Sequence, residues 1–194
     1  MSAPADPLAA LCAEVRGCTR CTGLPLGPRP VFQLGAGARL LITSQAPGTK
    51  AHASGIPWTD ASGDRLRDWL GLSPERFYDP QTLAIVPMGL CYPGAVKGGG
   101  DLPPRPECAP LWHQRLLAAL PAVRLRLLIG IHAQQAYLPA RLPMTEAVRR
   151  AGAFLPIFPL PHPSWRVVGW MRRNPWFEAE TLPLLRAEVG RALG

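Results

Sequence analysis

Hydrophobic positions follow two rhythms along this chain, and the two alternate. Runs of adjacent apolar residues at Leu40 to Thr43, Leu83 to Pro87, Leu125 to Ile131 and Leu155 to Phe158 are too short for helices and are bounded by Gly or Pro, so each predicts a buried strand. Between these runs the apolar residues fall three and four apart. Leu8, Leu11, Cys12 and Val15 form one helical stripe, ended by Gly17. Leu66, Trp69 and Leu70 form a second within Asp64 to Leu72, with Arg65, Arg67 and Asp68 facing out. Further helices are predicted over Cys108 to Leu120, Ala133 to Leu138, Thr145 to Gly152 and Trp176 to Leu193.

Strand and helix alternating about four times predict an α/β fold in which a parallel sheet is covered on both faces. In such a sheet the loops leaving the carboxyl ends of the strands converge on one rim, where ligands sit. The prolines around the fourth run place it at an edge. Gly23 to Gly37 reads as an extended connection. Met88 to Pro106, with Lys97-Gly-Gly-Gly100 at its centre, is a loop of a length that is usually functional.

Composition narrows the class. A chain of 194 residues supports one domain, taken here as 1–194, and 47% hydrophobic against 18% charged residues excludes a disordered chain. The net charge of +8, mostly arginine, favours an anionic partner with nucleic acid foremost, although a general coding bias toward Arg would give the same total. Met1 to Asp6 shows no basic segment leading into an apolar run, and no apolar stretch approaches a membrane span, so a cytoplasmic protein is expected. In that compartment five cysteines point to free thiols or metal ligation before disulfides.

Chemistry-bearing residues collect in the loops. The first strand delivers Gln45-Ala-Pro-Gly48, followed by Gly55-Ile-Pro-Trp58: an amide, a glycine that lets backbone approach a ligand, and a flat aromatic face. Cys18 and Cys21 form a CxxC, while Cys91 and Cys108 bracket the glycine-rich loop. That spacing suits an iron–sulfur cluster at least as well as zinc, with unrelated thiols as the plain alternative. His162 stands between two prolines after the fourth strand, a position equally open to a structural histidine. Arg166, Arg172 and Arg173 among Trp165, Trp170 and Trp176 have the composition of a segment that docks on a nucleic-acid backbone and inserts into a stack.

Together, strand-Gln45-Ala-Pro-Gly48, Gly55-Ile-Pro-Trp58, Cys18 and Cys21 with Cys91 and Cys108, and His162-Pro-Ser164 with its basic continuation resemble the uracil-DNA glycosylase superfamily, and most closely its iron–sulfur-containing bacterial and archaeal branch. The resemblance implies a three-layer αβα sandwich around a four-stranded parallel sheet. It implies a monomeric, DNA-binding hydrolase of base excision repair that flips a deaminated base, uracil before hypoxanthine, into a rim pocket. Trp58 would stack on the base, with Ala46, Gly48 and Met88 around it, and His162 would stabilise charge on the leaving group. Ser164, Arg166, Arg172 and Arg173 would contact DNA. Cys18, Cys21, Cys91 and Cys108 would hold a [4Fe-4S] cluster of structural role, with zinc as the alternative.

Two positions depart from that branch. Gln45 stands where an acid would activate water, so it is expected to orient the water instead, with His52 or Asp60 as substitutes. Val86-Pro87-Met88 stands where an asparagine would read the base edge. A recognition module that binds damaged or single-stranded DNA without cutting it is therefore the rival reading. Asp64 is expected to cap the helix it begins.

Overall fold

The computed structural model describes residues 6–194, and Met1 to Ala5, read above for a leader, lie outside the described residues. Four strands, β1 (Leu40–Thr43), β2 (Leu83–Ile85), β3 (Leu125–Ile129) and β4 (Ile157–Leu160), form one parallel sheet in the order β2-β1-β3-β4. Leu40 lies opposite both Leu83 and Leu125, and Leu127 lies opposite Phe158. β4 pairs only with β3, so Pro159 can sit inside it: its missing N–H faces no partner strand.

Side chains alternate across the sheet, and each face has its own core. Leu40, Ile42, Ile85, Leu127 and Phe158 point to one side, where they pack with α3 (Ala61–Leu70), a π-helical turn at Phe177–Thr181 and α9 (Leu182–Leu193). Leu41, Ala84 and Val86 point to the other, against α1 (Pro7–Arg16) and α5 (Cys108–Ala118). The result is the three-layer α/β arrangement. α6 (Ile131–Tyr137) follows β3, α7 (Met144–Arg149) precedes β4, and α8 (Val167–Arg173) follows it.

Local chemistry explains where the elements differ from the expectations. α3 begins at Ala61 because Asp60, rather than Asp64, is its N-cap, accepting from the Gly63 N–H at 3.0 Å; Asp64 lies within the first turn and pairs with Arg67. Two short helices were not foreseen, α2 (Thr49–Ser54) and α4 (Pro74–Tyr78). At six and five residues neither completes a periodic stripe, though Ser73 followed by Pro74 is a local start signal. The C-terminal segment is not one helix either. Pro183 lacks the N–H that an unbroken ladder needs, and the π turn precedes it. Among the described residues no helix is long and apolar enough to cross a membrane.

Candidate active site

All four strands are parallel, so the loops after them share one rim. The loops after β1 and β2 extend the pairing beyond the strands, with Met88 N–H donating to Ser44 O at 2.8 Å and Gly89 N–H to Gln45 O at 2.9 Å. Above them opens a cleft of about 530 Å³, its mouth included, lined by residues that follow β1, β2 and β4.

One wall of the cleft is Trp58. Its backbone adopts φ 60°, and its carbonyl accepts from the Tyr78 hydroxyl at 2.9 Å and the Arg67 guanidinium at 3.3 Å. Gly63 packs so closely beneath that a Cβ there would stand 1.9 Å from the Trp58 oxygen. The indole is thereby held 5.5 Å from the His162 ring, with the two planes 32° apart.

His162 leaves the end of β4 between Pro161 and Pro163, and Arg65 of α3 fixes the following turn by donating to Pro163 O at 2.7 Å. Burial holds the His162 imidazole below its ordinary pKa, against an upward pull from the Asp60 charge. At neutral pH the ring is therefore uncharged and able to donate one N–H.

Ala46 and Gly48 line the same cleft, while two other expected members do not. The Gln45 amide turns away and donates to the Leu102 carbonyl at 2.8 Å, so it tethers the glycine-rich loop rather than facing the cleft. Met88 lines a separate surface groove beside His113 and Tyr137, and Pro87 takes the cleft position. His52 is buried toward Tyr92, with ring centroids 6.3 Å apart, and does not line the cleft. Asp60 does, although one of its oxygens is committed to the cap.

The structure adds Asp101, which the sequence reading did not single out. Residues 94–102 fold back as a small hairpin, with Ala95 bridged to Asp101 and Leu102 N–H donating to Gly94 O at 2.8 Å. Asp101 thereby reaches the cleft, with one carboxylate oxygen 3.6 Å from where a Cβ on Gly48 would lie. Partial loss of solvent, and then the Asp60 charge, raise its pKa. The available signal was that Asp101 is the only acid between Met88 and Pro106.

Beyond the cleft mouth, Ser164 is half-buried and Trp165 is 75% exposed. The Arg166 guanidinium lies 4.9 Å over the Trp165 ring and donates to Gly99 O at 3.2 Å, so it braces the hairpin as well as the tryptophan. Arg172 and Arg173 project from the last turn of α8, both exposed.

Cys18, Cys21, Cys91 and Cys108 line one hollow beside Leu90 and Trp112, although they come from the segment after α1, the loop after β2 and the start of α5. Leu90 N–H donates to the Cys108 sulfur at 3.3 Å, and burial pushes the Cys91 and Cys108 thiols up to about 11. Among the described residues no three His, Cys, Asp or Glu groups converge closely enough for a single metal ion. A cluster asks for a different spacing, because each thiolate binds a separate iron, and four thiols around one hollow fit that donor set. Cys12 does not line the hollow; it is buried in the adjoining core that Cys108 and Trp112 also enter.

A family model for the uracil DNA glycosylase superfamily matches residues 32–186, most of the chain. The match takes in Trp58, Asp101 and His162 together with Cys91 and Cys108, and starts after Cys18 and Cys21.

Proposed function

Since the chain belongs to the uracil-DNA glycosylase superfamily, we propose that it excises a deaminated base from DNA, uracil first and hypoxanthine second, by hydrolysis of the N-glycosidic bond. The flipped base enters the rim cleft and stacks on Trp58. Neutral His162 donates its N–H to the oxygen on which negative charge grows as the bond breaks. A donor fixed in advance in a partly dried site is most effective there. Trp165 fills the gap left in the stack, and Arg172 and Arg173 contact phosphates. The observation that carries this reading is the pairing of Trp58 and His162, more than 100 positions apart in sequence, on one cleft at 5.5 Å.

We also read Cys18, Cys21, Cys91 and Cys108 as ligands of a [4Fe-4S] cluster. When bound, it would cross-link the segment after α1 to the loop after β2. Anaerobic purification with iron and sulfide analysis tests this, and stoichiometric zinc without iron would overturn it.

Single-turnover base release from oligonucleotides carrying uracil, hypoxanthine or xanthine tests the activity. His162→Ala is expected to slow release by roughly 10²-fold or more, the usual cost of removing one such donor. Release unchanged by that substitution would overturn the assignment. A recognition module is favoured by one observation, the commitment of the Gln45 amide to Leu102, and it would bind lesion DNA without releasing any base.

A further inference from the structure

Hydrolysis needs a group that takes a proton from the attacking water, and the tether of Gln45 leaves that role open at the first loop. We propose that Asp101, carried in from the glycine-rich hairpin, is the carboxylate that activates the water; the proposal rests on the glycosylase reading above.

Three observations support it. First, Asp60 and Asp101 are the two carboxylates lining the cleft, and Asp60 is held by its cap bond to the Gly63 N–H. Among the described residues no donor engages either oxygen of Asp101, so its carboxylate is free to accept from water. Second, the hairpin that carries it is clamped from two sides, by the Gln45 amide on Leu102 O and by the Arg166 guanidinium on Gly99 O at 3.2 Å. Both clamps grip backbone on either side of Asp101, which fixes the carboxylate without using it. Third, Asp101 lines the same cleft as Trp58 and His162, with one carboxylate oxygen 3.6 Å from where a Cβ on Gly48 would lie, so the acid stands beside the first loop where the water is needed.

The charged and titratable groups around it come from four elements: Asp60 at the start of α3, His162 after β4, Tyr92 after β2 and Arg166 before α8. Partial desolvation and then the Asp60 charge raise the pKa of Asp101 from an ordinary carboxylate's, which makes the carboxylate a better base.

The water oxygen bonds to C1′ of the deoxyribose as the C1′–N bond breaks, and that bond's electron pair leaves with the base. One water proton passes to Asp101, which later returns it to solvent. The base anion, held by the His162 N–H, regains a proton from solvent.

The test is single-turnover release from a saturated uracil duplex by the full-length protein and its Asp101→Asn and Asp101→Ala variants, with binding of the same duplex and thermal stability measured in parallel. The carboxylate makes no bond that holds the hairpin, so fold and DNA affinity are expected to be kept. Asp101→Asn is expected to lose about 10²-fold or more in rate, the range for a general base, and Asp101→Ala is expected to regain rate in added formate. Asp101→Asn within a few-fold of wild type, or Asp101→Ala slow and unmoved by formate, would overturn the assignment of Asp101 alone. Wild-type protein that releases no base from uracil, hypoxanthine or xanthine oligonucleotides would instead overturn the glycosylase reading on which it rests.

Discussion

Trp58 shows how much local structure one functional side chain requires. A bulky residue at φ 60° is strained by roughly 1–3 kcal/mol, so the surroundings must hold it there. The Tyr78 hydroxyl and Arg67 guanidinium grip its carbonyl from one side, and bare Gly63 accepts that carbonyl from the other. Gly63→Ala would put a methyl group into the oxygen. It is expected to cost about 1–3 kcal/mol as overpacking, and to slow base release because the indole leaves its place opposite His162. Tyr78→Phe, which removes two hydrogen bonds, the one to the Trp58 carbonyl and the one accepted from Arg67 at 2.8 Å, and adds no atom, is expected to cost about 2 kcal/mol. Thermal unfolding beside single-turnover release checks both, and a Gly63→Ala protein equal to wild type in each would refute this account of the pose. The sequence brought Trp58, Gly48 and His162 to one rim because each follows a recognisable strand. It was silent on Tyr78 and Asp101, whose parts depend on contacts between segments distant in sequence, with no periodicity to mark them.

Elements were legible to the extent that their hydrophobic rhythm was long. The four strands and the longer helices could be read from pattern, and the prolines of the fourth run placed it at the edge, although β4 begins two residues later than the run Leu155 to Phe158 predicts. The two short helices and the π turn before α9 have too few turns to show a stripe. The hairpin at 94–102 was legible only as a long glycine-rich loop. Its direction comes from tertiary clamps, and these give Gln45 a role at the level of the element. If Gln45 holds the hairpin, then Gln45→Glu sets a carboxylate against the Leu102 carbonyl, acceptor facing acceptor, and releases the loop. Slower release is expected, with the loss no deeper than that of Asp101→Asn. Hydrogen exchange in residues 94–102 should rise in the same variant. Faster release in Gln45→Glu would mean instead that this position faces the water, as first expected from sequence.

Two histidines, one buried behind the cleft floor and one within the cleft, set how the whole molecule responds to acid. Behind the cleft floor, on the face covered by α5 and α6, His113 donates from Nε2 to Pro87 O at 2.9 Å and accepts from the Tyr137 hydroxyl at Nδ1. The carbonyl can only accept, so this pattern fixes the neutral tautomer. Burial lowers the His113 pKa against the upward pull of its bond to Pro87, and the Arg126 guanidinium, 5.1 Å over the Tyr137 ring, lowers it further. His162 is lowered in the same direction on the cleft side. A histidine with a depressed folded pKa takes up its proton more readily when unfolded. The stability it contributes is therefore present above about pH 6.5 and lost as pH falls below that value. Glu14, Glu75 and Asp79, lowered by their hydrogen bonds, contribute in the lower carboxylate range, while Asp101, raised, works in the opposite sense. Between pH 7.5 and 5.5 the histidine contribution dominates, and the melting temperature of the wild-type protein is expected to fall. His113→Gln cannot titrate. It should melt lower than wild type at pH 7.5, because the Pro87 carbonyl and the Tyr137 hydroxyl lose their partner, yet lose less on acidification. Melting curves of both proteins at the two pH values measure this, and parallel losses would show that His113 is not held neutral by the fold. Since Pro87 lines the cleft, the same network ties the shape of the base site to the protonation of a residue on the far side of the sheet.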